Sequence, residues 1–177
     1  AQIAVQSALT GHLVLSTLHT NDAVSAFTRL VDMGLEPFLV ATSVRAVQAQ
    51  RLVRKLCDAC ATPAPMPAVV HDLVDARAMA RMQANGAARF REPAGCPRCQ
   101  GTGYRGRIGI YELVGVTPAL QQLIMAQATA EEMRRQLRDS DTGLRTLRHD
   151  GLLKAWQGVT SVDEVLRRPK DDYTKAL

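Results

Sequence analysis

Apolar positions run through this chain in short blocks whose rhythm changes repeatedly. Ile3, Ala4, Val5, Ala8 and Leu9 keep helical spacing up to Gly11, so residues 1 to 9 read as the tail of a helix. The stretch TGHLVLSTLHTN, residues 10 to 21, is rich in Leu, Val and Thr and predicts a buried strand over 12–18. Asn21 or Asp22 can cap a helix reaching about Met33, with Ala26, Phe27, Leu30 and Val31 as its buried stripe and Gly34 as its stop. Pro37 suits the first turn of another helix, whose face Phe38, Ala41, Val44 and Val47 continues through Leu52, Val53 and Leu56.

The pattern then breaks. ATPAPMPAVV is proline-rich and predicts a linker or loop, followed by one short helix over about 69–84. Asn85-Gly86 and the glycine-rich run GCPRCQGTGYRGRIG come next, with strand-like spacing at Ile108, Ile110 and Leu113. The last third is helical. Thr117-Pro118 opens one helix, and capping boxes at Thr129/Glu132 and Ser161/Glu164 open two more, the last ending before Pro169.

Composition adds limits. At 177 residues, with 46% hydrophobic and 22% charged, the chain has material for one or two small globular domains. Aromatics make up only 4%, so the core is aliphatic. The net charge of +5 comes from arginine, which suits phosphate or carboxylate partners and equally suits solvated helix faces. No apolar stretch approaches the ~20 residues of a membrane span, and no signal peptide is visible. The opening residues are already in helical rhythm without an initiator Met, so the chain reads as a fragment of a longer protein.

All four cysteines fall in two pairs, Cys57-Asp-Ala-Cys60 and Cys96-Pro-Arg-Cys99. Two such pairs are the sequence form of a tetrahedral four-thiolate zinc site. Their separation exceeds that of an ordinary zinc ribbon. The alternatives are structural disulfides, disfavoured without a secretory signal, or redox motifs, which should follow a strand and open a helix. The expected role of zinc is a staple, because a closed thiolate shell leaves no position for water.

His12 and His19 cannot share one metal. Along a strand they would lie roughly 23 Å apart, and along a helix ~10 Å, against ligand distances of about 2 Å. His19 instead marks the carboxyl end of the strand, where ligands of open α/β sheets bind. A helix start follows it, which favours anions. His71 and His149 lie in polar surroundings and read as solvated, and Arg105 and Arg107 flank Gly106 beyond the second cysteine pair.

Four stretches, AQIAVQSALTGHLVLSTLHTNDA, TRLVDMGLEPFLVA, AQRLVRKLC and GCPRCQGTGYRGRIGIYEL, resemble the assembly ATPases of type II secretion and type IV pilus systems. The resemblance covers nearly the whole chain and is least firm from 62 to 90. It implies an α/β fold: the C-terminal portion of a RecA-like P-loop core (1–56), a tetracysteine zinc subdomain (57–107) and a strand leading into a helical region (108–177). It also implies a cytoplasmic homo-hexamer, peripheral at the inner face of the bacterial inner membrane, that uses ATP and Mg²⁺ and works on inner-membrane platform proteins. TGHLVLSTLHTN looks like the family's His box, which lies beside the γ-phosphate. His12 and His19 match its histidines, Thr17 and Thr20 lie beside His19, and Arg29 and Arg51 match arginines linked to nucleotide or subunit contacts. The structural alternatives are a backbone hydrogen bond for His12, a surface position for Arg29, and a helix C-terminus closed by Arg51, Arg54 and Lys55.

The chain contains no GxxxxGK[ST] loop, and none of its lysines follows a glycine. Paired acids ending an apolar strand, which would hold magnesium, are missing too. Alone it is expected not to hydrolyse ATP. Two rival classes remain. CPRCQGTG fits the repeat of DnaJ-type chaperones, but CDACATPA lacks the glycines. A zinc-ribbon nucleic-acid module would interleave aromatics, and only Phe90 and Tyr104 lie near the cysteines, so no nucleic-acid partner is expected.

Overall fold

Val47, Ala49, Val53 and Leu56 point inward along an extended segment, β2 (Ala46–Leu56), where a helix was expected to continue. That expectation fails at Val44, whose ψ of 126° ends α3 (Pro37–Ser43). From Ala46 onward the apolar positions are spaced for a half-buried strand, and burial against a neighbouring strand outweighs the helical spacing of Val44 and Val47. Arg51, Arg54 and Lys55 therefore sit on a strand and close no helix.

The computed structural model describes residues 1–140, 143–167 and 175–176. Pro169, where the final helix was expected to end, lies outside them. Helices and strands are mixed, and the chain divides into two compact units. The first comprises residues 1–50, 111–146 and 173–177, and the second 51–110 and 147–172. Among the described residues no helix is long and apolar enough to cross a membrane.

In the first unit, α1 (Gln2–Leu9) leads through an irregular segment to β1 (Leu18–His19). The strand expected over 12–18 is thus reduced to its last residue and His19. Leu13 and Leu15 are 86% and 87% exposed. No strand pairs with residues 12–17 among the described residues, and without ladder partners a buried strand cannot form there. β1 pairs antiparallel with β6 (Lys175–Ala176), which also pairs with β2. The order in the sheet is β1-β6-β2-β5, where β5 is Tyr104–Gly115. The strand expected around Ile108, Ile110 and Leu113 is present as β5; its inward positions are Ile110, Glu112 and Val114, and Leu113 points to solvent.

Three helices complete this unit: α2 (Ser25–Asp32), α6 (Pro118–Met125) and α7 (Ala130–Asp139). α2 starts at Ser25 after Val24, two residues later than the expected cap, and Asp22 Oδ1 still accepts the Ser25 amide at 2.8 Å at its entry. Gly34 follows with φ +86°, a left-handed stop. Thr117 caps α6, and Thr129 with Glu132 forms a full capping box on α7. Val24, Phe27, Val40, Leu120, Ile124 and Met133 are buried. This aliphatic core seats α2, α3, α6 and α7 together.

In the second unit β3 (Thr62–Pro63) pairs with β4 (Arg91–Glu92). The helix expected over 69–84 is two, α4 (Val69–Leu73) and α5 (Ala76–Ala84). Asp75 divides them: its carboxylate accepts the Ala78 amide at 2.7 Å and starts a new helix. α8 (Leu147–Trp156) and α9 (Val162–Leu166) pack over these through Val70, Met82, Phe90, Leu152, Trp156 and Val165. Phe90 and Trp156 meet edge to face at 5.7 Å, and Trp156 Nε1 donates to the Gly86 carbonyl at 2.9 Å. His71 is exposed as expected, whereas His149 is half-buried in α8.

Candidate metal centre and His-box turn

Cys57 follows strand β2 directly, so the first cysteine pair ends a strand, contrary to the expected helix. No helix opens behind it: residues 58–60 form a turn, with the Cys60 amide donating to the Cys57 carbonyl at 3.2 Å. The second pair sits in a single 3₁₀ turn, Pro97–Cys99. One backbone bond joins the two knuckles, and one side-chain bond ties the first of them to β4. The Cys57 amide donates to the Gly103 carbonyl at 2.9 Å, and Arg91 Nη2 reaches the Ala61 carbonyl at 2.7 Å.

The result is one cluster. All four Sγ atoms lie within 4.8 Å of one another. Cys57–Cys96, Cys60–Cys99 and Cys96–Cys99 are separated by 3.9, 3.8 and 3.7 Å. Four thiolates at about 2.3 Å around a tetrahedral ion stand roughly 3.8 Å apart, so these three pairs already have the spacing of that shell. None is near disulfide length, and all four cysteines are free. The donor set can hold a metal ion.

Local amides prepare the shell. The Cys96 and Gly103 amides each donate to Cys99 Sγ at 3.2 Å. Burial pushes the Cys99 thiol up, but these amides and the neighbouring thiols outweigh it and bring its pKa to about 6. Cys60 moves the other way, to about 12, through burial and its three neighbouring thiols, with the Gly95 amide opposing. Gly103 holds φ +74°, and a Cβ there would collide with Pro93. That glycine is what lets its amide approach the sulfur.

The remaining sequence-predicted residues lie apart from this cluster. His12 is exposed, and its Nδ1 shares a hydrogen bond with the Thr10 side-chain Oγ1 at 3.1 Å. Thr17 is exposed in the irregular segment, and His19 is exposed at the end of β1. Arg29 is exposed in the last turn of α2. Arg51 belongs to the second unit, and its Nε is buried without a hydrogen-bond partner among the described residues. Arg105 and Arg107 are exposed on β5.

Two groups not singled out from sequence fasten the turn behind His19. Glu112, buried at 4% exposure, accepts the Ala23 amide at 2.9 Å. Arg134 Nη2 donates to Asp22 Oδ2 at 2.8 Å and to Ser25 Oγ at 2.9 Å. The one available signal was Glu112 standing at an inward strand position.

Residues 1–167 match the family described as Type II/IV secretion system protein. The chain belongs to this family. It is 47% identical to the type II secretion system ATPase E of Vibrio cholerae serotype O1, over 97% of this chain and 32% of the relative. Type II secretion system protein E of Pectobacterium carotovorum is also 47% identical, with the same coverage. Type IV pilus assembly ATPase PilB of Pseudomonas aeruginosa is 44% identical over 97% of this chain and 29% of the relative. The chain spans about a third of the length of the curated secretion relatives it matches. As a type II/IV secretion system sequence, it carries the cysteine cluster and the His-box turn in separate units.

Proposed function

We propose that these residues form the C-terminal part of the ATPase motor of type II protein secretion, which couples ATP hydrolysis to pseudopilus assembly. One observation supports this most: identity of 47% runs through 97% of the chain to a protein named type II secretion system ATPase E. On this reading residues 1–56 complete a RecA-like core whose phosphate loop and magnesium-binding acids come from elsewhere in the full-length protein. His19, with Thr17 beside it, contacts the γ-phosphate and shifts with hydrolysis; His12 anchors the start of the same box. Arg29 and Arg51 serve nucleotide or subunit contacts in a homo-hexamer. The hexamer sits in the cytoplasm against inner-membrane platform proteins.

Residues 57–107 form a zinc subdomain in this proposal, with Cys57, Cys60, Cys96 and Cys99 as ligands. Zinc there supplies cross-linking and no reaction. The protein's own contribution is the pair of amides that favour a thiolate at Cys99 and the glycine that admits one of them.

Substituting His19→Ala in a full-length ATPase carrying these residues tests the reading. Loss of ATPase rate and of secretion, with the hexamer intact, supports it. Unchanged rate and secretion would falsify the sensor role. A type IV pilus assembly motor is the second reading, favoured by 44% identity to the pilus ATPase PilB of Pseudomonas aeruginosa. Complementing a secretion-deficient and a pilus-deficient strain in parallel separates the two.

A further inference from the structure

His19 projects from the end of a two-residue strand, which by itself holds a side chain poorly. The turn beyond it is held firmly. Thr20 Oγ1 donates to the Asp22 carbonyl at 3.0 Å and closes a local turn. Asp22 then divides its two oxygens. Oδ1 caps α2 through the Ser25 amide, and Oδ2 takes the Arg134 guanidinium at 2.8 Å. The same Arg134 nitrogen reaches Ser25 Oγ, so one cation spans both ends of the helix cap. From the other side, Glu112 pins the Ala23 amide between them.

Neither partner of the ion pair is a loose surface group. The side chains of Asp22 and Arg134 are 24% and 27% exposed. Arg134 extends from α7, where the adjacent Met133 is buried and the full capping box fixes the helix start. Arg134 also meets Glu131, which binds Arg138, so α7 offers an ordered base for the clamp. Nη2 alone serves the carboxylate and the hydroxyl while Nη1 faces Glu131, so the planar head is held from two sides, which the single nitrogen of a lysine would reproduce only in part.

We propose that Arg134 is a positioning residue for His19. Through Asp22 and Ser25 it fixes the turn from Thr20 to Ser25, and so the direction in which His19 leaves β1. Displacement of that turn on nucleotide hydrolysis must then break the clamp or carry α7 along, which links the nucleotide state to the helical C-terminal region. The inference rests on the proposed contact of His19 with the γ-phosphate. The clamp itself is a feature of one unit of the fold.

The test uses the full-length ATPase carrying these residues. Arg134→Ala is expected to lower kcat roughly tenfold, in the range seen for residues that carry coupling without touching ligand. KM for ATP should stay within about twofold, because uniform substrate binding is untouched. Amide exchange over residues 18–25 should rise in the nucleotide-bound form. Asp22→Asn keeps an oxygen for the Ser25 amide but loses the charge, and should give the same phenotype. The double variant should be no worse than either single one, and Arg134→Lys should recover part of kcat. Arg134→Ala with kcat per folded hexamer and 18–25 exchange both unchanged overturns the proposal. A fall in thermal stability alone, with those two readings intact, overturns it as well. Full activity of His19→Ala removes the phosphate contact instead; loosened 18–25 amides in Arg134→Ala would then still support the clamp.

Discussion

Arg54 and Glu164, 110 residues apart, form one three-pronged contact. Glu164 Oε1 accepts the Arg54 amide at 3.0 Å, and Oε2 accepts Nε and Nη2 at 2.9 and 2.6 Å. The guanidinium lies over the Tyr104 ring at 4.0 Å, and Tyr104 Oη meets Ser161 Oγ at 2.7 Å. Strand β2 is thereby tied to the start of α9 beside the cysteine cluster.

Removing the carboxylate should therefore destabilise the second unit. Hydrogen bonds to charged groups contribute about 1.5–3 kcal/mol. The Arg54 side chain is 40% exposed, so solvent screening keeps the loss near the lower end, at about 2 kcal/mol for Glu164→Ala. Urea unfolding followed by Trp156 fluorescence measures it, and an unchanged midpoint would refute the role.

The pair also sets a pH dependence. Burial raises the Glu164 pKa, but hydrogen bonds from the Arg54 side chain and amide, with its charge and that of Arg167, bring it below the ordinary value. A carboxyl whose folded pKa is depressed stabilises the fold above its unfolded value of about 4.3, and that contribution is lost as pH falls through the folded pKa. The stability gap between wild type and Glu164→Gln should be constant at neutral pH and close on acidification below about pH 4. A gap that widened there would contradict the assignment.

Metal content is the next expectation. Spacing of 3.7–3.9 Å among the measured sulfur pairs suits a four-thiolate shell, so native mass spectrometry should find one zinc per chain. Releasing it with a thiol-modifying reagent should unfold residues near the knuckles, since structural zinc binding is also folding free energy. Gly103→Ala gives an independent reading. The substitution meets Pro93 and needs φ +74°, so zinc should be released faster than from wild type. Metal-free protein with two intramolecular disulfides would sink the assignment.

The features legible in the sequence are those decided within a few residues. The cysteine pairs, the Thr129/Glu132 box and the bond of Asp22 to the Ser25 amide all depend on neighbours three positions away, and the structure contains them. Ser161/Glu164 was read by the same rule and is half right. Ser161 accepts the Glu164 amide at 3.2 Å, but the carboxylate goes to Arg54. A local rule cannot see a partner 110 residues away that offers a charge-assisted bond. The same limit hid β2, because helical spacing at Val44 and Val47 competes with strand pairing that only the folded sheet supplies. Residues 12–17 failed in the opposite sense: their composition is that of a strand, and no ladder is present among the described residues to make one.

Gly151 in α8 sets two effects against each other. Within a helix interior, Gly→Ala ordinarily gains about 1 kcal/mol from backbone entropy. Here a Cβ would stand 2.6 Å from Val165 Cγ1 and 3.1 Å from Cγ2, across the buried junction of α8 with α9. Overpacking of this kind costs about 1–3 kcal/mol. Val165 belongs to the core cluster and has little room to withdraw, so the clash should win, and Gly151→Ala should destabilise by about 1 kcal/mol. Val165→Ala alone leaves a cavity and also destabilises. Combined, the new methyl fills part of that space, so the double variant should be more stable than the sum of the two losses allows. Strict additivity in a denaturation cycle would mean that the helices separate to admit the methyl, and that the close approach of α8 and α9 at Gly151 is not what holds them.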